Sequence, residues 1–113
     1  MFRNINREGK IQENGNVYLP YSFMRSLELV VGSKLCLLPV KNIIVVFEVS
    51  IEDGSEGHGF ASIFNEDGEI NLPDELLKRV GWKVGDDLKL ECFYKEIGYF
   101  KPREKEVFPR FFI

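Results

Sequence analysis

Six cations are the chemically pointed residues of this 113-residue sequence: Arg3, Arg7 and Lys10 near its start, Arg25 after them, and the adjacent pair Lys78 and Arg79 in the second half. Lys and Arg neutralise phosphates, and that neutralisation supplies nearly all sequence-independent affinity for nucleic acid. The charge balance says where such a contact must lie. Residues 1–50 carry six Lys/Arg against four Asp/Glu, whereas residues 51–101 carry six against twelve. Any nucleic acid would therefore be held by Arg3, Arg7, Lys10 and Arg25, with the second half adding little beyond Lys78 and Arg79. A net charge of −3 and a pI near 5.2 exclude a strongly basic binder. Such binding would be weak and steeply salt-dependent.

Catalysis and metal chemistry lack a matching pattern. The carboxylates fall in turns and on polar strand faces, where they serve solubility and turn formation. No Gly-rich phosphate loop, nucleophile elbow or HExxH spacing occurs. His58, the only histidine, has no Cys or His neighbour to complete a ligand set and reads as a solvated loop residue. Cys36 and Cys92 make no CxxC or metal spacing and read as free thiols of a reducing compartment. The expectation is a protein that is not an enzyme and uses no cofactor.

The scaffold for these residues is written twice. Glu13-Asn-Gly-Asn-Val-Tyr-Leu-Pro20 recurs as Glu66-Asp-Gly-Glu-Ile-Asn-Leu-Pro73, an offset of 68 − 15 = 53 residues between Gly15 and Gly68. Aligned without a gap over 13–48 and 66–101, ten positions are identical, including Leu19/Leu72, Val31/Val84, Gly32/Gly85, Leu35/Leu88 and Leu37/Leu90. Such periodicity has to be read before any single element. Asn14-Gly15 and Asp67-Gly68 are tight-turn signals. The strands that follow alternate, with Val17 and Leu19, or Ile70 and Leu72, facing inward, and with Asn16, Tyr18, Glu69 and Asn71 outward. Pro20 and Pro73 suit the start of short helices, expected over Tyr21–Glu28 and Asp74–Val80. Val-Gly turns then lead into Leu-x-Leu hairpins that turn near Lys41-Asn42 and Lys95-Glu96.

This divides the chain into a first repeat (1–50), a Gly-rich and charged connector (51–59), a second repeat (60–101) and an aromatic tail (102–113). The tail residues Phe108, Phe111 and Phe112 need cover, either from the chain's own body or from a partner or second copy. No apolar run approaches a membrane span, and the first residues lack the apolar core of a signal peptide, so a cytoplasmic protein without a membrane partner is expected.

The order of strand, turn glycine, Val/Ile-x-Leu-Pro, short helix, Leu/Trp-x-Val-Gly-(Ser/Asp) and Leu-x-Leu hairpin resembles the swapped-hairpin (SpoVT-AbrB) domain of the AbrB/MazE/SpoVT superfamily. Two copies in one chain resemble the MraZ arrangement. The similarity spans about residues 5–49 and 58–101. It is fullest in Gly68-Glu-Ile-Asn-Leu-Pro-Asp-Glu-Leu-Leu-Lys-Arg-Val-Gly-Trp-Lys-Val-Gly-Asp86. In the first copy Glu28 stands where the family usually has glycine, and Ser33 where it usually has aspartate. The resemblance implies an all-β, strand-rich fold with short helices: a double-split β-barrel in which both repeats interleave as one domain. It further implies transcription regulation through double-stranded DNA. The family's contact positions fall here on Asn16 or Glu69 after the turn glycine, and on Arg25 or Lys78 in the helix. An antitoxin-like or other protein-interaction module on the same scaffold is the alternative it allows.

Overall fold

The structure is a computed structural model and describes residues 9–49, 59–94 and 96–103. Arg3, Arg7, His58, nearly all of the connector and the tail aromatics Phe108, Phe111 and Phe112 lie outside the described residues. In chain order the elements are β1 (Asn16–Tyr18), α1 (Tyr21–Ser26), β2 (Lys34–Val40), β3 (Ile43–Glu48), β4 (Phe60–Ile63), β5 (Glu69–Asn71), α2 (Asp74–Val80), β6 (Leu88–Tyr94) and β7 (Ile97–Pro102).

Local chemistry accounts for these limits. Pro20 and Pro73 sit at the N-caps of α1 and α2 in extended conformation, with φ −63° and −60°, so each ends a strand and opens a helix without giving up an amide donor. The second helix closes on Gly81 in the left-handed region at φ 78°. The first was expected to run to Glu28 but stops at Ser26, because Glu28 has already turned left-handed at φ 55°. The chain closes both helices alike: the Leu29 amide donates to the Met24 carbonyl, and the Trp82 amide to the Leu77 carbonyl, each at 3.0 Å.

Two sheets result. β1 pairs antiparallel with β5 in a two-stranded ribbon, with Val17 opposite Ile70. The other five strands form a sheet of order β4-β2-β3-β7-β6, an open order with β4 and β6 at its ends. Both sheets thus draw strands from both copies.

Many of the turn and loop hydrogen bonds occur in pairs displaced by 53 residues. Leu19 N–H donates to Gly68 O (3.0 Å), and Leu72 N–H to Gly15 O (2.8 Å). Gly32 N–H donates to Phe64 O, and Gly85 N–H to Ile11 O, both at 2.8 Å. Phe64 N–H reaches Ser33 O, and Ile11 N–H reaches Asp86 O, both at 3.0 Å. Each of these bonds joins one copy to the other. The antiparallel bridge of Lys10 to Asp87 likewise matches the pairing of Ile63 with Lys34.

One core serves the whole. Val17, Leu19, Leu35, Leu37, Ile44 and Val46 from the first copy join Ile70, Leu72, Leu76, Leu88 and Phe100 from the second in a single buried cluster. Helix α1 lies against β6 and helix α2 against β2, so each helix packs on the opposite copy's strand. The Phe23 ring of α1 meets the Phe100 ring of β7 with centroids 5.6 Å apart. Phe23 fits because Gly98 has no side chain: a Cβ there would stand 2.5 Å from the Phe23 ring.

The gapless alignment fails in the last hairpin. Ile44 and Val46 face the core from β3, but on β7 the inward residues are Gly98 and Phe100, an offset of 98 − 44 = 54. A bulge between Cys92 and Tyr94 inserts the extra residue. Since facing alternates with period two, one added residue reverses every side chain beyond it. The identities Ile44/Ile97 and Phe47/Phe100 are therefore out of phase.

Candidate nucleic-acid interface

The described cations named from the sequence divide between two flanks. Lys10 precedes the turn of Asn14-Gly15, at the bridge to Asp87 just before β6, and Arg25 lies in the last turn of α1, which packs on β6. Lys78 and Arg79 belong to α2, on the β2 side. The fold thus carries the two copies' helix cations to opposite strands of the five-stranded sheet.

Their surroundings differ more than their residue types. Arg25 and Lys78 are 53 positions apart and equivalent. Arg25 is exposed and lies over the exposed Tyr21 ring, with its guanidinium carbon 5.7 Å from the centroid. Lys78 forms an i,i+4 ion pair with Asp74 at 3.4 Å, and Asp74 occupies the position that Tyr21 holds in the first copy. Lys10 pairs with Asp87 at 3.9 Å. Both ion pairs are well exposed, so each contributes little stability, yet each partly cancels a positive charge. Arg79 lies over the Phe60 ring at 5.8 Å. Among the described residues Arg25 is thus a helix cation without a carboxylate partner.

Asn16 is bound up in the ribbon. Its amide nitrogen donates to Glu69 Oε1 (2.9 Å) and its amide oxygen accepts from Asn71 Nδ2 (2.9 Å). Glu69 corrects the sequence reading, which set it outward: it is only 6% exposed. Gln12 Nε2 donates to its Oε2 at 3.2 Å. Alternation put Glu69 on the face away from the apolar core, and that much is right, since Ile70 takes the core side. Burial on the other face comes from polar neighbours in β1 and before it, which hydrophobic periodicity does not register. A buried carboxylate must be held by donors, and these amides supply them.

Two links join the ribbon to the larger sheet. The buried Ser62 hydroxyl of β4 donates to Asn71 O (2.8 Å) and accepts from Asn71 N–H (3.0 Å). In the other half the Gly9 amide donates to Tyr18 O at 3.3 Å, at positions 53 residues earlier.

A third cluster escaped the sequence reading. On the outer face of β6 and β7 the register sets Lys89 directly opposite Lys101. Glu91 lies between them, with Oε2 3.2 Å from Lys89 Nζ and Oε1 4.0 Å from Lys101 Nζ, and its Oε1 accepts a hydrogen bond from the Tyr99 hydroxyl. The Tyr99 hydrogen bond, followed by the bond from Lys89, holds the Glu91 carboxyl below its ordinary range. The same Glu91 bond raises the Tyr99 phenol. Elsewhere, partial burial raises the Cys36 thiol, which suits an inert cysteine.

No helix among the described residues is long and apolar enough to cross a membrane. Comparison with protein-family models, with curated proteins and with solved structures finds no match to this chain.

Proposed function

We propose that the two copies build one double-split, swapped-hairpin barrel of the AbrB/MazE/SpoVT kind, and that the chain is a DNA-binding transcriptional regulator. The observation that carries this reading is the set of hydrogen bonds that recur at the 53-residue offset and cross between copies, as interleaved hairpins require. The links at Ser62–Asn71 and Gly9–Tyr18 support it further, since they tie the ribbon to both ends of the open sheet. The functional half of the proposal rests on the resemblance and on charge, because a fold by itself does not assign a function.

The DNA contact in this reading is lopsided. Arg25, with Lys10, Arg3 and Arg7, carries it because the first half holds the positive surplus, whereas Lys78, paired with Asp74, and Arg79 belong to the half with twelve Asp/Glu. Asn16, at the position after the turn glycine, holds the ribbon with one bond at each end of its amide and keeps a second N–H and a second lone pair for a base or phosphate. With about three or four phosphates neutralised, log K should fall against log salt with a slope near −3 to −4. A fluorescence-anisotropy titration at low salt, against duplex from the promoter of the chain's own gene, tests this. Arg7→Ala with Arg25→Ala should weaken binding and flatten the slope by roughly one per lost contact. Absence of binding at low salt at concentrations on the order of tens of micromolar, where even ordinary non-specific binding is detectable, would overturn the regulator reading.

The exposed apolar side chains Val30, Val31, Ile63 and Phe93, between 54% and 73% accessible, favour the second reading, a protein-interaction or antitoxin-like module on the same scaffold.

A further inference from the structure

We propose that the groove formed by Lys89, Lys101 and Arg103, beside the β2–β3 turn at Asn42 and Ile43, is a binding site for a phosphate group. Its two lysines stand on β6 and β7 of the acidic second half, and the β2–β3 turn borders it from the first.

The argument starts from an arrangement that is unfavourable by itself. Lys89 and Lys101 are register partners on adjacent antiparallel strands, and like charges directly opposite each other repel at Cβ separations of about 4.5–5.5 Å. Both side chains stay accessible, at 49% and 41% exposure. One carboxylate serves both: Glu91 is close to Lys89 but reaches Lys101 only at 4.0 Å, and it is also occupied by the Tyr99 hydroxyl. Arg103, on the same groove, makes no ion pair among the described residues, and its backbone is fixed by its amide donating to Asp87 O at 2.9 Å. Within the groove itself three cations share one carboxylate, an excess of positive charge, while Asp86 and Asp87 line the adjoining cleft that Arg103 also borders. Lys ammonium groups have three donors each and Arg five, far more than Glu91 can accept. A tetrahedral dianion answers both deficits, with several acceptor oxygens and the complementary charge. Asn42 adds an amide at the rim.

The phosphate belongs either to a small phosphorylated molecule or to a nucleic-acid backbone. The site stands apart from Arg25, so its test does not depend on the proposed regulatory function.

Amide-resolved NMR of the full chain, titrated with inorganic phosphate at constant ionic strength, reads the site directly. Saturable shifts centred on residues 42–43, 89, 101 and 103 are expected. Lys101→Gln should weaken binding about tenfold, the loss of one charge-assisted contact. Glu91→Gln should strengthen it, because the competing carboxylate is gone. Those opposite signs separate a site from a general loss of structure, and Lys34→Gln, a cation outside the groove, should leave the shifts as they are. Linear, unsaturated shifts, or equal affinity in the Lys101→Gln and Glu91→Gln variants, would overturn the proposal. Short duplex DNA is then added to the phosphate-loaded protein. Displacement of phosphate from the groove assigns the site to a nucleic-acid backbone, and retention assigns it to a small phosphorylated ligand.

Discussion

At equivalent positions the two copies solve the same structural problems with different side chains, and the differences separate what the fold demands from what it tolerates. In the turn before the second hairpin, Ser33 Oγ accepts from the Val30 amide at 2.9 Å, while Asp86 Oδ2 accepts from the Lys83 amide at 3.0 Å. The acceptor is required and its charge is not. At the helix ends Gly81 and Glu28 both take positive φ, although only glycine does so without strain. There the backbone path is required and the first copy tolerates the wrong residue. Under the helices the copies trade volume: Phe23 goes with Gly98 and Phe100, whereas the equivalent positions hold Leu76, Ile44 and Val46.

The largest effect should fall where the copies are the same. Leu19→Ala and Leu72→Ala remove equivalent, fully packed side chains and should each cost ~2–5 kcal/mol in urea denaturation. A loss below about 0.5 kcal/mol for either one would place that leucine outside the shared core.

The volume trade can be broken and repaired. Gly98→Ala sets a methyl against the Phe23 ring, which is itself held against Phe100, and should cost about 1–3 kcal/mol. In a Phe23→Leu background, which installs the second copy's residue, the same change should cost distinctly less. A double-mutant cycle measures that coupling, and strict additivity would mean that the ring does not set the choice of glycine.

A smaller change makes the helix ends alike. Glu28→Gly should raise stability by about 1 kcal/mol by relieving left-handed strain. Gly81→Ala should lower it by a similar amount, although a Cβ at Gly81 would meet nothing within 4 Å, so the effect is conformational and not steric. Thermal unfolding of both variants checks the pair; equal melting temperatures for Glu28→Gly and the parent chain would show that Glu28 bears no strain.

The strand-rich class, the two short helices, the turn glycines and the buried leucines were legible, because each leaves a local signal: a proline, a turn dipeptide or a period of two. Two things were not. The burial of Glu69 depends on amides from Gln12 and Asn16, far away in sequence and polar, so no hydropathy pattern marks it. The Lys89–Lys101 pair depends on register, and register in that hairpin is set by a bulge with no sequence mark of its own. Gapless identity even pointed the wrong way there, since it matched Phe47 to Phe100 across a reversed face. For the candidate interface, the sequence supplied the cations, but only the helix partners showed which of them are free: Tyr21 beneath Arg25, and Asp74 beside Lys78.

The exchange of hydrogen bonds between copies also dictates the order in which the chain can become ordered during synthesis. Ile11 is bonded to Gly85 and Asp86, so its partners follow 86 − 11 = 75 residues later. At ribosomal rates of about 5–20 residues per second, that is a wait of roughly 4–15 s. Until β6 and β7 follow, Phe23 and Leu27, in and just after α1, lack the second-copy side of the core they share. The shared core can therefore close only when the second copy has emerged.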